Sequence, residues 1–343
     1  MAVDTADSQR PIEPELIELE ALAAASGAVI VDRVVQRRAA VDPATLVGSG
    51  KAAEIAQLAQ ERQANVLLVL NALRPRQRRN LERIIPVPIV DRTMLILDVF
   101  AQHARSREGQ LQVELAQLRY RQSNLIGIGA DLSRLGGGIG TRGPGETKLE
   151  VDRRRIAQRI SVLRAQLEQV RKQRTTRRGG ERHEPVVALV GYTNVGKSSL
   201  LNRLARSDAF VADQPFATLD PTMRRVWLSE GRYVRVVDTV GFITDLPKDL
   251  VNAFRATLEE LEQADVLVHV VDASDSDWPR QVQAVDATLE ELGLAEKPRL
   301  VIFNKVDAVD GERPLPAQWL AVSARSGTGI STLRERIASL TAR

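Results

Sequence analysis

The chain has 343 residues, 43% of them hydrophobic, enough for roughly two to three domains with sizeable cores. It contains no cysteine, which excludes disulfides and thiolate metal sites and fits a reducing, cytoplasmic setting. No apolar run approaches the ~20 residues of a membrane helix, and the formal charge is only +4, so where the charge sits matters more than its sum.

Residues 1–14 are polar and acidic. They lack the basic-then-apolar pattern of a signal peptide and read as a disordered N-terminal tail. Residues 15–106 read as a small α/β domain. The pattern predicts a helix over Glu15–Ser26, a strand over Ala28–Val35, then the basic Gln36-Arg37-Arg38. It continues with a helix over Gly50–Gln63, a strand over Asn65–Asn71, a helix over Arg76–Ile84, a short strand over Pro88–Asp91 and a helix over Thr93–Ser106. This alternation favours a parallel sheet. Gly48-Ser49-Gly50-Lys51 looks like half of a phosphate loop, but Thr45 and Ala52 break the motif, so it reads as a helix-entry turn.

Residues 107–178 read as a long antiparallel helical hairpin. Leu111, Leu115, Leu118 and Leu125 recur at helical spacing, and Ile156, Ile160, Leu163, Leu167 and Val170 follow heptad-like steps. A loop at 127–145, in which eight of nineteen residues are glycine, joins them and carries Arg134 and Arg142, with Glu146 and Lys148 just beyond it. A loop that long inside a compact unit tends to be functional. Arg153 to Arg182 hold eleven Arg or Lys against two Glu, and five arginines fall in Arg74–Arg83. Two such clusters favour an RNA partner read through backbone and shape, because aromatics are only 3% of the chain and stacking platforms are scarce. The histidines His103, His183 and His269 are far apart and suggest no ligand set.

After a linker at 179–183, residues 184–343 read as a nucleotide domain. Gly191-Tyr192-Thr193-Asn194-Val195-Gly196-Lys197-Ser198 fits G-x-x-x-x-G-K-[ST], between a strand at Val186–Val190 and a helix from Ser199. Such a loop wraps phosphates with backbone N–H groups; Lys197 reaches the β- and γ-phosphates and Ser198 holds Mg²⁺. A hairpin is predicted over 223–230 and 232–237, strands over Ala264–Asp272, Pro298–Asn304 and Gln318–Ser323, and a closing helix over Ile330–Leu340. Asp238-Thr239-Val240-Gly241 follows the hairpin. Asp238 binds Mg²⁺ through water there, and the Gly241 N–H contacts the γ-phosphate. Asn304-Lys305-Val306-Asp307 ends a strand. The Asp307 carboxylate accepts two hydrogen bonds from guanine, Asn304 serves the other base edge and the Lys305 stem covers the ring. Ser323-Ala324-Arg325 offers a backbone N–H to guanine O6. Four such motifs in this order point to GTP and to a P-loop GTPase fold, with strong discrimination against adenine.

The order and spacing resemble the translation-factor-like GTPases. Phe216-Ala217-Thr218-Leu219-Asp220-Pro221-Thr222 narrows the resemblance to the HflX family. So do Asp91-Arg92-Thr93, Leu95-Ile96-Leu97-Asp98, the helix Glu108 to Leu118, and the loop Ser133-Arg134-Leu135-Gly136-Gly137-Gly138-Ile139-Gly140-Thr141-Arg142-Gly143-Pro144-Gly145-Glu146-Thr147. By this resemblance Thr218 is the switch I threonine whose hydroxyl completes the Mg²⁺ shell, and Phe216, Ala217, Thr218, Leu219 and Asp220 belong to the GTP site. Catalysis falls to Lys197, Thr218 and the Gly241 N–H. The resemblance implies a cytoplasmic, monomeric GTPase of GTP and GDP that binds the large ribosomal subunit and its RNA and splits stalled or idle ribosomes under stress. Two alternatives stay open: a GTP-switched assembly factor in which hydrolysis serves release, and an RNA-remodelling NTPase that also uses ATP.

Four departures from the pattern and one further hint, Asn194, bear on mechanism. Phe242 stands where many GTPases carry a water-orienting glutamine, so turnover is expected to be slow without a partner. Asn194 matches an asparagine that helps bind K⁺ in several related GTPases. The segment Ala308–Pro316 is short for the helix usual there, and an extra C-terminal domain of longer members is expected to be missing. Asn71-Ala72-Leu73-Arg74-Pro75 replaces a more acidic stretch.

Overall fold

A computed structural model describes residues 1–5, 11–135, 148–178, 184–207, 214–228, 231–244, 261–309, 316 and 318–342. The chain divides into two compact units, Met1–Gln102 with Leu111–Gln169, and His103–Gln110 with Val170–Arg343. No helix among the described residues is long and apolar enough to cross a membrane.

In the first unit, β1 (Ala2–Thr5) runs parallel to β2 (Val35–Arg38), with Ala2 opposite Val35. This corrects two expectations. Residues 2–5 are a strand rather than part of a disordered tail: Ala2 and Val3 are buried, and the Val3 N–H donates to Asn71 Oδ1 at 2.7 Å. The strand expected over Ala28–Val35 lies instead at Val35–Arg38, because the register leaves no strand beside residues 28–33 and Val29 is 84% exposed. Helix α1 (Ile12–Ala25) buries Leu16, Leu19, Leu22 and Ala23, spacings that share one face. Helix α2 (Ser49–Glu61) starts after Gly48, which has φ 84°, so the glycine–lysine stretch there is a helix entry. Strand β3 (Leu67–Val69) pairs in parallel with β4 (Ile89–Asp91) across helix α3 (Pro75–Ile84). The expected parallel sheet is thus two separate two-stranded pairs.

Helix α4 (Arg92–His103) follows, then α5 (Arg107–Leu135) and α6 (Lys148–Arg178). Helix α5 runs on to Leu135, so the loop expected from residue 127 starts later, and residues 136–147 lie outside the described residues. Leu111, Leu115, Ile160 and Leu163 are buried, and Arg159 grips Glu114 through two hydrogen bonds of 2.7 and 2.9 Å. Arg78 of the first basic cluster is not free for a partner. Arg78 donates to Asp91 Oδ2 at 2.5 Å and to Ile89 O at 2.7 Å, and Tyr120 donates to the same Asp91 oxygen. Burial leads the causes that push the Tyr120 hydroxyl up to about 12, so it stays a donor.

The second unit carries a six-stranded sheet in the order β10-β9-β8-β5-β7-β6. It comprises β5 (Val186–Gly191), β6 (Thr222–Trp227), β7 (Tyr233–Asp238), β8 (Val266–Asp272), β9 (Arg299–Asn304) and β10 (Leu320–Ala321). Only the β6–β7 hairpin is antiparallel. Every residue of β5 and β8 is buried, which explains the apolar run of β5 and the mostly apolar β8, broken by His269 and ending in Asp272. Helix α7 (Lys197–Ala205) buries Leu200, Leu201 and Leu204, each worth about 1.5–3 kcal/mol of transfer free energy. The last strand is two residues long instead of the six expected, and the helix Ile330–Leu340 closes the chain as anticipated. Trp278, Phe303 and Trp319 form an aromatic trio with centroids 4.8–5.4 Å apart under this end of the sheet. Most of the segment 308–316 lies outside the described residues; Val306–Ala308 is a short 3-10 turn.

Candidate functional site

Most predicted site residues converge at the carboxyl ends of β5, β7 and β9, where the sheet order turns to either side of β5, but Asp220, expected in the GTP site, turns its carboxylate to Arg105 and Ser106 instead. After Gly191 the backbone turns through Thr193, Asn194 and Val195 to Gly196, at φ 89°, and enters α7 at Lys197. A Cβ on Gly196 would collide with Asn304 Nδ2, so the turn needs glycine for both conformation and room. The free N–H groups in the first turn of α7 make this an anion-binding terminus. A cavity of about 190 Å³ opens over it, lined by Thr193, Asn194, Lys197, Ser198, Phe216, Ala217, Thr218, Thr239, Gly241 and Lys305 among others.

Lys197 is 6% exposed, and its Nζ donates to Gly191 O at 3.1 Å and Tyr192 O at 2.7 Å. Burial pulls it down from 10.5 to about 8, against the nearby Asp238. Burial likewise pushes the Asp238 carboxyl above its ordinary range, with Lys197 as the main opposing influence. Ser198 Oγ donates to Asp238 Oδ2 at 2.5 Å and lies 2.8 Å from Thr218 Oγ1. The other oxygen, Asp238 Oδ1, is buried without a hydrogen-bond partner among the described residues. Two hydroxyls beside an unsatisfied carboxylate oxygen form an all-oxygen donor set that fits Mg²⁺.

After Asp238, Thr239 Oγ1 donates to Leu189 O at 2.7 Å, Val240 is buried and Gly241 borders the cavity. Phe242 ties its backbone to the phosphate loop, donating from its N–H to Gly191 O at 3.0 Å and accepting from Thr193 N–H at 2.9 Å. Its ring is packed with Val186, Val190, Val237 and Leu267, so no water-orienting group stands there.

On the base side, Asn304 is a strut. Its Nδ2 donates to Val195 O at 2.8 Å and its Oδ1 accepts from the Ala324 N–H at 3.0 Å, so the amide holds the phosphate loop to the Ser323-Ala324-Arg325 turn. Lys305, at φ 61°, pairs with Asp272 at 2.7 Å. Val306 is half-buried, and exposed Asp307 accepts a 2.5 Å hydrogen bond from Ser323 Oγ. In switch I, Phe216 and Leu219 are buried, and Asp220 directs its carboxylate to the backbone of Arg105 and Ser106.

Residues 13–101 match the family described as GTP-binding GTPase N-terminal, 103–180 the GTP-binding GTPase middle region, and 186–305 the 50S ribosome-binding GTPase. GTPase HflX of Caldanaerobacter subterraneus subsp. tengcongensis is 47% identical over 95% of this chain and 76% of its own length. GTPase HflX of Escherichia coli strain K12 is 46% identical over 93% and 77%. The chain belongs to the HflX GTPase family. It is a GTP-hydrolysing enzyme. The crystal structure of SsGBP in complex with GDP superposes with a TM-score of 0.53 at 25% identity, covering 99% of this chain and 98% of that one.

For this HflX-family site, sequence patterns missed several supports. Tyr192 Oη and Thr244 Oγ1 lie 2.9 Å apart, and Tyr192 Oη also accepts from the Thr244 N–H at 3.0 Å. Arg203 Nε donates to Ala324 O at 2.8 Å, and its Nη2 to Arg325 O. Asp272 orients Lys305. Tyr192 stands in the phosphate-loop motif, but no local motif marks Thr244, Arg203 or Asp272; only the fold brings them to the site.

Proposed function

We propose that the chain hydrolyses GTP on Mg²⁺ held by Ser198, Thr218 and, through water, Asp238, and that it does so on the large ribosomal subunit, remodelling or splitting stalled or idle ribosomes. The observation that carries the chemistry is the unsatisfied Asp238 Oδ1 beside Ser198 and Thr218. Mg²⁺ held there by Ser198, Thr218 and Asp238 would supply positive charge against the charge that develops on the phosphoryl group in transfer. Lys197 gives up its two loop carbonyls to neutralise the β- and γ-phosphates, whose charge favours the protonated amine that burial disfavours. The Gly241 N–H and the first turn of α7 orient the γ-phosphate, and Asp307 selects guanine. With Phe242 buried, positioning and electrostatics carry the step, and a partner supplies the rest. Asn194, exposed at the cavity rim, is the side chain available to K⁺.

The ribosome reading is supported by the description of the family matched at 186–305 and by the exposed Arg153, Arg154, Arg155 and Arg164 of α6. The same reading divides the chain into an N-terminal domain (15–106), the hairpin (107–178) and a GTP domain (184–343), and has it act in the cytoplasm as a monomer. Co-sedimentation with separated ribosomal subunits tests it. Pelleting with the large subunit is expected with a non-hydrolysable GTP analogue and weaker pelleting with GDP. Binding to neither subunit in either state would sink the ribosome reading.

A further inference from the structure

Asp220 lies two residues after Thr218, yet its carboxylate serves a different element. Oδ2 accepts from the Arg105 N–H at 2.9 Å and from the Ser106 N–H at 2.6 Å, and the Ser106 hydroxyl donates to Oδ1. Ser106 is the N-cap of α5: its Oγ accepts from the Gly109 N–H at 2.9 Å, and its carbonyl accepts from Gln110 at 3.0 Å. Residues 103–110 and 220 belong to the same compact unit. An anionic carboxylate there also meets the positive end of the helix.

The fit is close from both sides. Gly109 is buried, and a Cβ there would run into Asp220 Oδ1. Between Thr218 and Asp220 stands Leu219, 1% exposed, so the backbone tether is anchored and no longer than about 7 Å. After Asp220, Pro221 restricts the backbone, and Thr222 pairs with Asp238, whose carboxylate meets Ser198. Switch I is therefore pinned at one end beside Thr218 and at the other to the first turn of α5.

We infer that Asp220 is a positioning residue for Thr218: it fastens switch I to the capped start of α5, so that Thr218 takes its place at the metal only while that first turn is held. A displacement of α5, the helix that leads to the glycine-rich segment, is then felt at Thr218, and loss of the γ-phosphate is felt at the start of α5. The inference rests on the reading of Thr218 as a Mg²⁺ ligand in the GTP state.

The test measures the Mg²⁺ concentration that half-saturates binding of a fluorescent non-hydrolysable GTP analogue, and of its GDP counterpart, to the full chain. Thr218→Ala serves as the reference, and Asp220→Ala and Gly109→Ala approach the contact from its two sides. All three are expected to raise the Mg²⁺ requirement of the analogue complex by roughly fivefold or more, the effect of losing one modest interaction. The GDP complex is expected to keep the wild-type requirement, and hydrolysis to lose kcat more than KM. Gly109→Ala separates coupling from mere helix support, because alanine raises helix propensity while crowding Asp220. It also serves where Asp220→Ala fails to fold. If Thr218→Ala shifts the analogue complex while Asp220→Ala and Gly109→Ala do not, the coupling is overturned and the metal reading stands. If Thr218→Ala shifts nothing, both are overturned.

Discussion

Asn194 is held in the left-handed region, φ 60°, with its side chain exposed at the rim of the phosphate cavity. Asparagine tolerates that backbone better than most residues, so the position accommodates a side-chain oxygen at little strain. If that oxygen serves a monovalent cation, wild-type turnover should rise severalfold in K⁺ over Na⁺, and Asn194→Ala should erase most of the difference, a shift of about 1 kcal/mol. Equal rates in the two salts for wild type would rule the cation out and leave Asn194 as a turn residue. The contrast with its neighbours shows what sequence reveals at this scale. Lys197, Ser198, Asp238 and Asp307 stand in motifs whose spacing is dictated by the ligand, so each was legible. Asn304 was legible as part of the motif but not as a strut, because its partners Val195 and Ala324 are 109 and 20 residues away. Arg203 and Thr244 belong to no motif, since what they hold is other protein.

Strands and helices of the GTP unit follow from pattern because burial repeats along them. Fully covered β5 reads as an apolar run, β8 as one interrupted by His269, and α7 as a leucine face. Where pairing rather than burial decides, pattern misleads. Residues 28–33 have strand composition but no paired strand, and residues 2–5 look like a polar tail yet find β2. Glycines 127 and 129 suggested the end of α5, but isolated glycines inside a long helix weaken it without ending it. Burial also leaves a titration signature inside β8. His269 is 1% exposed, its Nδ1 has no hydrogen-bond partner among the described residues, and burial above all pulls it down to about 3. A base whose folded pKa is depressed favours folding fully above its unfolded value of about 6.5, and that contribution is lost as pH falls toward the folded value. Between pH 6.5 and 5 the GTP unit should therefore lose about 2 kcal/mol through this residue. Thermal melts of wild type and His269→Leu across that window check it: the wild type should fall more steeply, and parallel slopes would contradict the argument.

At the scale of the whole molecule, the question is what orients the attacking water, since Phe242 does not. Phe242 has its ring in the core beside Val190 and Leu267 and its backbone bonded to Gly191 and Thr193, so a small readjustment does not bring a polar group to the γ-phosphate. The remaining groups position the phosphates and offset their charge, but none of them orders the attacking water. A partner that supplies or orders the attacking water adds what is absent, and residues supplied in trans to such sites raise turnover by about 10³–10⁵-fold in the best cases. Purified chain is thus expected to hydrolyse GTP slowly and to speed up by well over about tenfold with large ribosomal subunits. The stimulation should fall steeply as salt is raised, because the exposed arginines of α6 offer charge-dependent contacts to phosphate backbone. GTP turnover measured with and without large subunits, at low and moderate salt, decides the matter. Free protein as fast as subunit-bound protein would show that the site is complete by itself, and stimulation indifferent to salt would remove the basic helix from the account.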